Sequence, residues 1–171
     1  MYKICKTAKS EARQKEFQDT LLEMLKKQKM KDISIVSLCQ EMNISRKTFY
    51  QYFDTIEDVL YIMIDKELRA GFLLLEYDPQ IKEFFVFWKK NRTLLDILEK
   101  NGMSNILVER AYTFSNITKE NKSTIQNMKY AGWISSLITV LVLWHHGGMQ
   151  QSEEEMRQTI NEMFHVGQYG Y

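Results

Sequence analysis

Residues 33–60 read Ile33-Ser34-Ile35-Val36-Ser37-Leu38-Cys39-Gln40-Glu41-Met42-Asn43-Ile44-Ser45-Arg46-Lys47-Thr48-Phe49-Tyr50-Gln51-Tyr52-Phe53-Asp54-Thr55-Ile56-Glu57-Asp58-Val59-Leu60. Ser34 stands where a helix N-cap belongs, directly before the apolar positions Ile35, Leu38, Cys39 and Met42. Asn43 follows, and Asn tolerates the left-handed backbone that a sharp helix-to-helix turn requires. Ser45 can cap a second short helix running to about Tyr52, with Ile44, Phe49 and Phe53 as its inward groups. That helix carries Arg46, Lys47, Thr48, Tyr50 and Tyr52. A short helix bearing basic, hydroxyl and phenol groups suits a DNA major groove. The competing reading is a solvated polar helix in a bundle.

On both sides the sequence continues in helical periodicity. Glu11 to Gln28 places Phe17, Leu21, Leu22, Met24 and Leu25 on one face. A helix from about Thr55 carries Ile56, Val59, Leu60, Met63, Ile64, Leu68 and Phe72. Asp78-Pro79 reads as a cap followed by proline at the first helical position, before Ile81, Phe84, Phe85 and Trp88. Asn91-Arg92 interrupts, Leu94, Leu95 and Leu98 resume the pattern, and Asn101-Gly102 stops it. Met103 to about Ile117 predicts a further helix, and Thr118 to Ser123 a polar connection. Residues 124–146 are the most apolar helix, ended by Gly147-Gly148. Ser152 and Glu155 form a capping box opening the last helix, with Met156, Ile160, Met163 and Phe164 on its stripe. No strand alternation or internal repeat appears. The expected fold is all-α with about nine helices. Residues 1–54 would form a three-helix, helix-turn-helix DNA-binding domain, and 55–171 a helical regulatory and dimerisation domain.

The 171 residues are 44% hydrophobic and 26% charged, an ordinary globular composition. Net charge is +1, but residues 1–53 hold 11 Lys+Arg against 6 Asp+Glu, while 54–171 hold 12 against 16. A basic first third on an acidic remainder points to a polyanion met by the N-terminal part alone. The start of the chain lacks a signal-peptide pattern, and the run from Trp133 to Trp144 is too short for a membrane span. The expectation is a soluble cytoplasmic protein. Cys5 and Cys39 have no metal spacing, and Cys39 reads as a buried thiol.

Ser34 to Leu60 resembles the DNA-binding domain of TetR-type bacterial transcriptional regulators. The match lies in Ser34, Leu38-Cys39, Asn43-Ile44-Ser45, Arg46-Lys47-Thr48, Phe49-Tyr50, Tyr52-Phe53, Ile56-Glu57 and Val59-Leu60. It extends closely over 11–66. More loosely, Tyr130-Ala131-Gly132 and Trp144 through Gly148-Met149 to Ser152 and Met156 are similar to a C-terminal domain of regulators resembling those of dihydroxyacetone kinase operons. The family often has glycine at position 43 and usually lysine at position 56, where this chain has Asn43 and Ile56.

The resemblance implies that the second helix enters the major groove. Lys47 and Thr48 would face base edges, Arg46 a base or a phosphate, and Tyr50 and Tyr52 phosphates. Ser34 and Ser37 would meet phosphate at the start of the preceding helix, with Ser45 and Gln51 completing the DNA-binding set. Lys26, Lys27, Lys29 and Lys31 fit a solvated face and helix-end compensation as well as they fit DNA. Lys3, Lys6 and Lys9 are candidates for an N-terminal arm.

Phe84, Phe85, Trp88, Tyr112 and Phe114 are candidates for a small-molecule effector pocket, or for plain core. Helix 124–146 has a second apolar face, Ile134, Ile138 and Val142. With Met156, Ile160, Met163 and Phe164 it is a candidate homodimer interface, unless one subunit buries both faces itself. His145-His146 reads as favourable charge at a helix C-terminus, and neither a metal site nor a cofactor is expected. No catalytic constellation stands out, so an enzyme is not expected. Two functional readings remain: a homodimeric regulator, repressor in type, on a roughly palindromic double-stranded operator, or a protein-binding adaptor on the same scaffold.

Overall fold

The computed structural model describes residues 3, 7–77, 81–114 and 123–165. These are all-helical, without a strand among them, and contain nine α-helices and one short 3-10 turn. The chain divides into two compact units, Met1–Lys66 and Glu67–Tyr171.

The first unit begins with α1, Ala8–Lys27. Thr7 caps it, accepting a hydrogen bond from the Ser10 amide while the Ser10 hydroxyl accepts from the Thr7 amide, each at 3.2 Å. A 3-10 turn at Met30–Asp32 leads to α2, Ile35–Glu41, and α3, Arg46–Phe49. The fourth helix, α4, spans Glu57–Tyr77, its first half in this unit. The Asp58 carboxylate accepts from the amides of Asp54 and Thr55, at 3.1 Å each, and so caps α4. The core is the buried set Phe17, Leu21, Leu25, Leu38, Cys39, Phe49, Phe53, Val59 and Leu60. Phe17 meets the rings of Phe49 and Phe53 edge-on, at 5.6 and 5.3 Å between centroids. Ile56 is buried with them, so an aliphatic side chain at this position extends the core.

The second unit contains the remainder of α4, then α5 (Ile81–Lys90), α6 (Thr93–Lys100), α7 (Asn105–Phe114), α8 (Thr124–His146) and α9 (Glu153–His165). The expected break at Asn91-Arg92 separates α5 from α6, and Gly102 ends α6 at φ 67°. The expected Asp78-Pro79 start and most of the Thr118–Ser123 connection lie outside the described residues. Helix α5 packs against α9, and α7 and α6 against α8. Gly71 on α4 permits one close approach: a Cβ there would lie 3.0 Å from Trp88 Nε1 and 3.4 Å from Phe84 Cε2. Ser152 and Glu155 form the expected capping box, with the Ser152 amide donating to Glu155 Oε2 at 2.7 Å.

Between α8 and α9 the chain reverses through Gly148 (φ 75°) and Met149 (φ 54°). Met149 is buried despite its left-handed backbone, and its amide donates to the Trp144 carbonyl at 2.8 Å. The Trp144 indole N–H donates to the Gln151 carbonyl at 3.2 Å, so this side chain touches both limbs of the reversal.

Candidate nucleic-acid interface

The turn between α2 and α3 forms as its residues dictate. Asn43 adopts φ 51°, and the Ile44 amide returns to the Cys39 carbonyl at 2.9 Å. Ser45 caps α3 through the Thr48 amide at 3.2 Å, and the two hydroxyls lie 3.0 Å apart. The regular part of α3 is short, but turn hydrogen bonds carry the coil onward: Tyr50 to Arg46, Tyr52 to Phe49 and Phe53 to Phe49.

Anchoring fixes which side faces out. Phe49 and Phe53 are fully buried, while Ser45, Arg46, Lys47, Tyr50 and Gln51 are exposed. Thr48 and Tyr52 are half-buried, the Tyr52 ring lying 5.7 Å from that of Phe17. The outward surface of α3 therefore carries two cations, a phenol and an amide on a base held by aromatic packing. At the start of α2, Ser34 is exposed and Ser37 half-buried. Their hydroxyls already form a reciprocal capping box: Ser37 N donates to Ser34 Oγ at 3.0 Å, and Ser34 N to Ser37 Oγ at 2.9 Å.

Lys3 adds a feature that spacing alone does not give. Its amide donates to the Tyr52 carbonyl at 2.9 Å, its ammonium to the Tyr50 carbonyl at 2.5 Å, and its own carbonyl accepts from Gln14 Nε2 at 3.0 Å. A cation at the carbonyl end of α3 opposes the partial negative charge there. Behind the helix lies Cys39, its sulfur 4.0 Å from the Ser45 carbonyl oxygen. Burial pushes this thiol up from its ordinary value, disfavouring the reactive thiolate.

The other candidate sets lie in the second unit. Phe84, Phe85 and Trp88 are fully buried. Phe84 contacts Phe85, Trp88 and Phe72, and Phe85 meets Trp144 edge-on at 5.4 Å, so these rings pack as core. Tyr112 is more than a third exposed, and its hydroxyl bonds that of Ser135. The Phe114 side chain lies outside the described residues.

The proposed interface set divides. Ile134, Ile138, Met156 and Ile160 are buried within the subunit, because α8 and α9 close over their own neighbours, and they are not on its surface. Val142 is half-buried, and Met163 and Phe164 are exposed. The apolar groups that α8 does leave open are Ile125, Met128 and Leu143, each more than 60% exposed. Gly132 is exposed between them.

No helix among the described residues is long and apolar enough to cross a membrane. No protein-family model matches this chain, and no curated protein matches it.

Proposed function

We propose that the chain is a sequence-specific DNA-binding transcriptional regulator acting as a homodimer, a repressor that responds to a small ligand. One observation carries the reading. The left-handed turn at Asn43 joins two short helices, the second anchored by Phe49 and Phe53 and exposing Arg46, Lys47, Tyr50 and Gln51. In this reading Lys47 and Arg46 donate to base-edge acceptors or phosphates, and Tyr50 donates to phosphate oxygen. The capped start of α2 faces the same backbone. A second copy would dock on the open groups of α8 and α9, Ile125, Met128, Leu143, Met163 and Phe164. Two recognition helices then address a roughly palindromic site. An effector acts by favouring one of two arrangements of the dimer.

The test is selection of bound sequences from a random duplex library by the full-length protein. The expected result is a two-part motif with a fixed half-site spacing, and affinity that falls steeply with salt. Recovery of unenriched sequence at moderate salt would overturn the reading.

The adaptor reading draws on the start of α4. Where a cation would meet phosphate, this chain has buried Ile56 flanked by Asp54, Thr55, Glu57 and Asp58. Retention of a stoichiometric protein partner, with no retained duplex, would favour it.

A further inference from the structure

The regular part of α3 ends at Phe49, so two of the groups it offers outward, Tyr50 and Gln51, lie on the turns that follow. The amides of Tyr50, Gln51 and Tyr52 bond back to Arg46, Thr48 and Phe49. The amides of Asp54 and Thr55 go instead to the Asp58 carboxylate. No further turn therefore donates to the carbonyls of Tyr50 and Tyr52, and main-chain oxygens at a helix end need donors from elsewhere. Lys3 supplies both. Its ammonium donates to the Tyr50 carbonyl and its amide to the Tyr52 carbonyl, on either side of Gln51. Phe49 and Phe53 fix the two ends of this segment by burial, and Lys3 holds its middle.

Lys3 is itself exposed, and what fixes it lies behind it. Its carbonyl accepts from Gln14 Nε2 at 3.0 Å, and Gln14 is only 4% exposed. A buried amide donor is costly to strand, so the bond that satisfies Gln14 also secures Lys3. Gln18, one turn further along α1 and buried too, donates to the Gln14 carbonyl and accepts from Lys66 Nζ of α4, both at 3.1 Å. A continuous polar path thus crosses the first unit, from α4 through α1 to the end of α3. The charge of Lys3 is spent on a main-chain oxygen, not extended as an arm toward a groove.

We propose that Lys3 is a positioning residue for DNA recognition: fastened to buried Gln14, it holds the 50–52 backbone so that Tyr50 and Gln51 meet the duplex in one orientation. The role rests on the reading of α3 as the recognition helix, and it needs no contact between Lys3 and DNA. Without the fastening, the phenol and the amide sample more orientations, and binding must order them.

The experiment has two arms, both on the full-length protein. Without DNA, amide hydrogen exchange at residues 50–53 should be roughly 3- to 10-fold faster in Lys3→Ala and Gln14→Met than in wild type. The core amides of Leu21 and Leu60 should be unchanged, and Lys3→Arg, which keeps a cationic donor, should match wild type. If Gln14→Met loosens the core as well, Lys3→Ala alone decides. With the duplex returned by the library selection, Lys3→Ala should bind about 3- to 10-fold more weakly at an unchanged salt slope, since no phosphate contact is lost. A slope shallower by about one would make Lys3 a phosphate contact and overturn the positioning role. Failure of the wild type to select any sequence would overturn the regulator reading and this role together. Selection by the wild type with unchanged exchange in Lys3→Ala would overturn this role alone.

Discussion

The rings of Phe17 on α1 and Phe49 on α3 meet in a T, with centroids 5.6 Å apart and ring planes at 81°. Both rings are fully buried, so the helix with the candidate DNA contacts is held from behind by one aromatic cluster. Phe49→Ala removes its centre and should destabilise the first unit by about 3–5 kcal/mol. Denaturant unfolding followed by helicity measures this. A loss below about 1 kcal/mol would mean that the cluster is dispensable.

Lys47 and Tyr50 are both exposed on that helix but should fail differently. Under the proposed reading Lys47 is a base-edge donor, so Lys47→Ala should weaken specific binding by about 1–3 kcal/mol while random duplex is less affected. Under the same reading Tyr50 bonds a phosphate, so Tyr50→Phe should weaken every duplex alike. Equal losses on both duplexes for Lys47→Ala would assign that lysine to the backbone.

Asn43 occupies the left-handed region at φ 51°. Asn43→Gly should be tolerated, whereas Asn43→Val should lose about 1–2 kcal/mol to backbone strain. Comparing their urea midpoints tests this, and equal midpoints would mean that the turn rearranges freely.

At Gly71, a side chain would collide with the Trp88 indole at 3.0 Å from its first carbon. Gly71→Leu should destabilise the second unit by about 1–3 kcal/mol through overpacking. Near-ultraviolet circular dichroism should report a displaced tryptophan, and an unchanged spectrum with an unchanged midpoint would count against the close packing.

Asp96 contributes on the acid side. Burial opposes its ionisation, but its hydrogen bonds to His145 and Arg92 prevail and hold its carboxyl below the ordinary value. Its stabilisation is therefore present above that value, ~3.9, and disappears as pH falls through the folded value. Asp96→Asn should flatten the loss of stability on acidification. Acid titration of both proteins by circular dichroism checks it, the contrary outcome being two curves of equal steepness.

Local signals were the legible ones. Asn43, the Ser34 and Ser45 caps, the Ser152–Glu155 box and the Asn101-Gly102 stop all act within four residues, and each is present in the fold. The all-helical class follows from sparse breakers and apolar spacing. What spacing could not resolve is which of two apolar faces a helix buries at home. Ile134 and Ile138 read as an outward face of α8, yet they are buried while Ile125 and Leu143 are open, because the choice belongs to α6 and α7. Long-range pairing was equally hidden. Adjacent histidines at a helix end gave no sign that Asp96, 49 residues away, meets one of them, or that Lys3 caps the end of α3.

Exchange of terminal helices between copies needs a connection that can straighten. The reversal from α8 to α9 resists this at several atoms. Straightening it would take Gly148 and Met149 out of the left-handed region, break the Met149-to-Trp144 and Trp144-to-Gln151 bonds, and bring a buried thioether into water. In any assembly of this chain, α9 should therefore stay with its own subunit, and copies should associate and part without domain swapping.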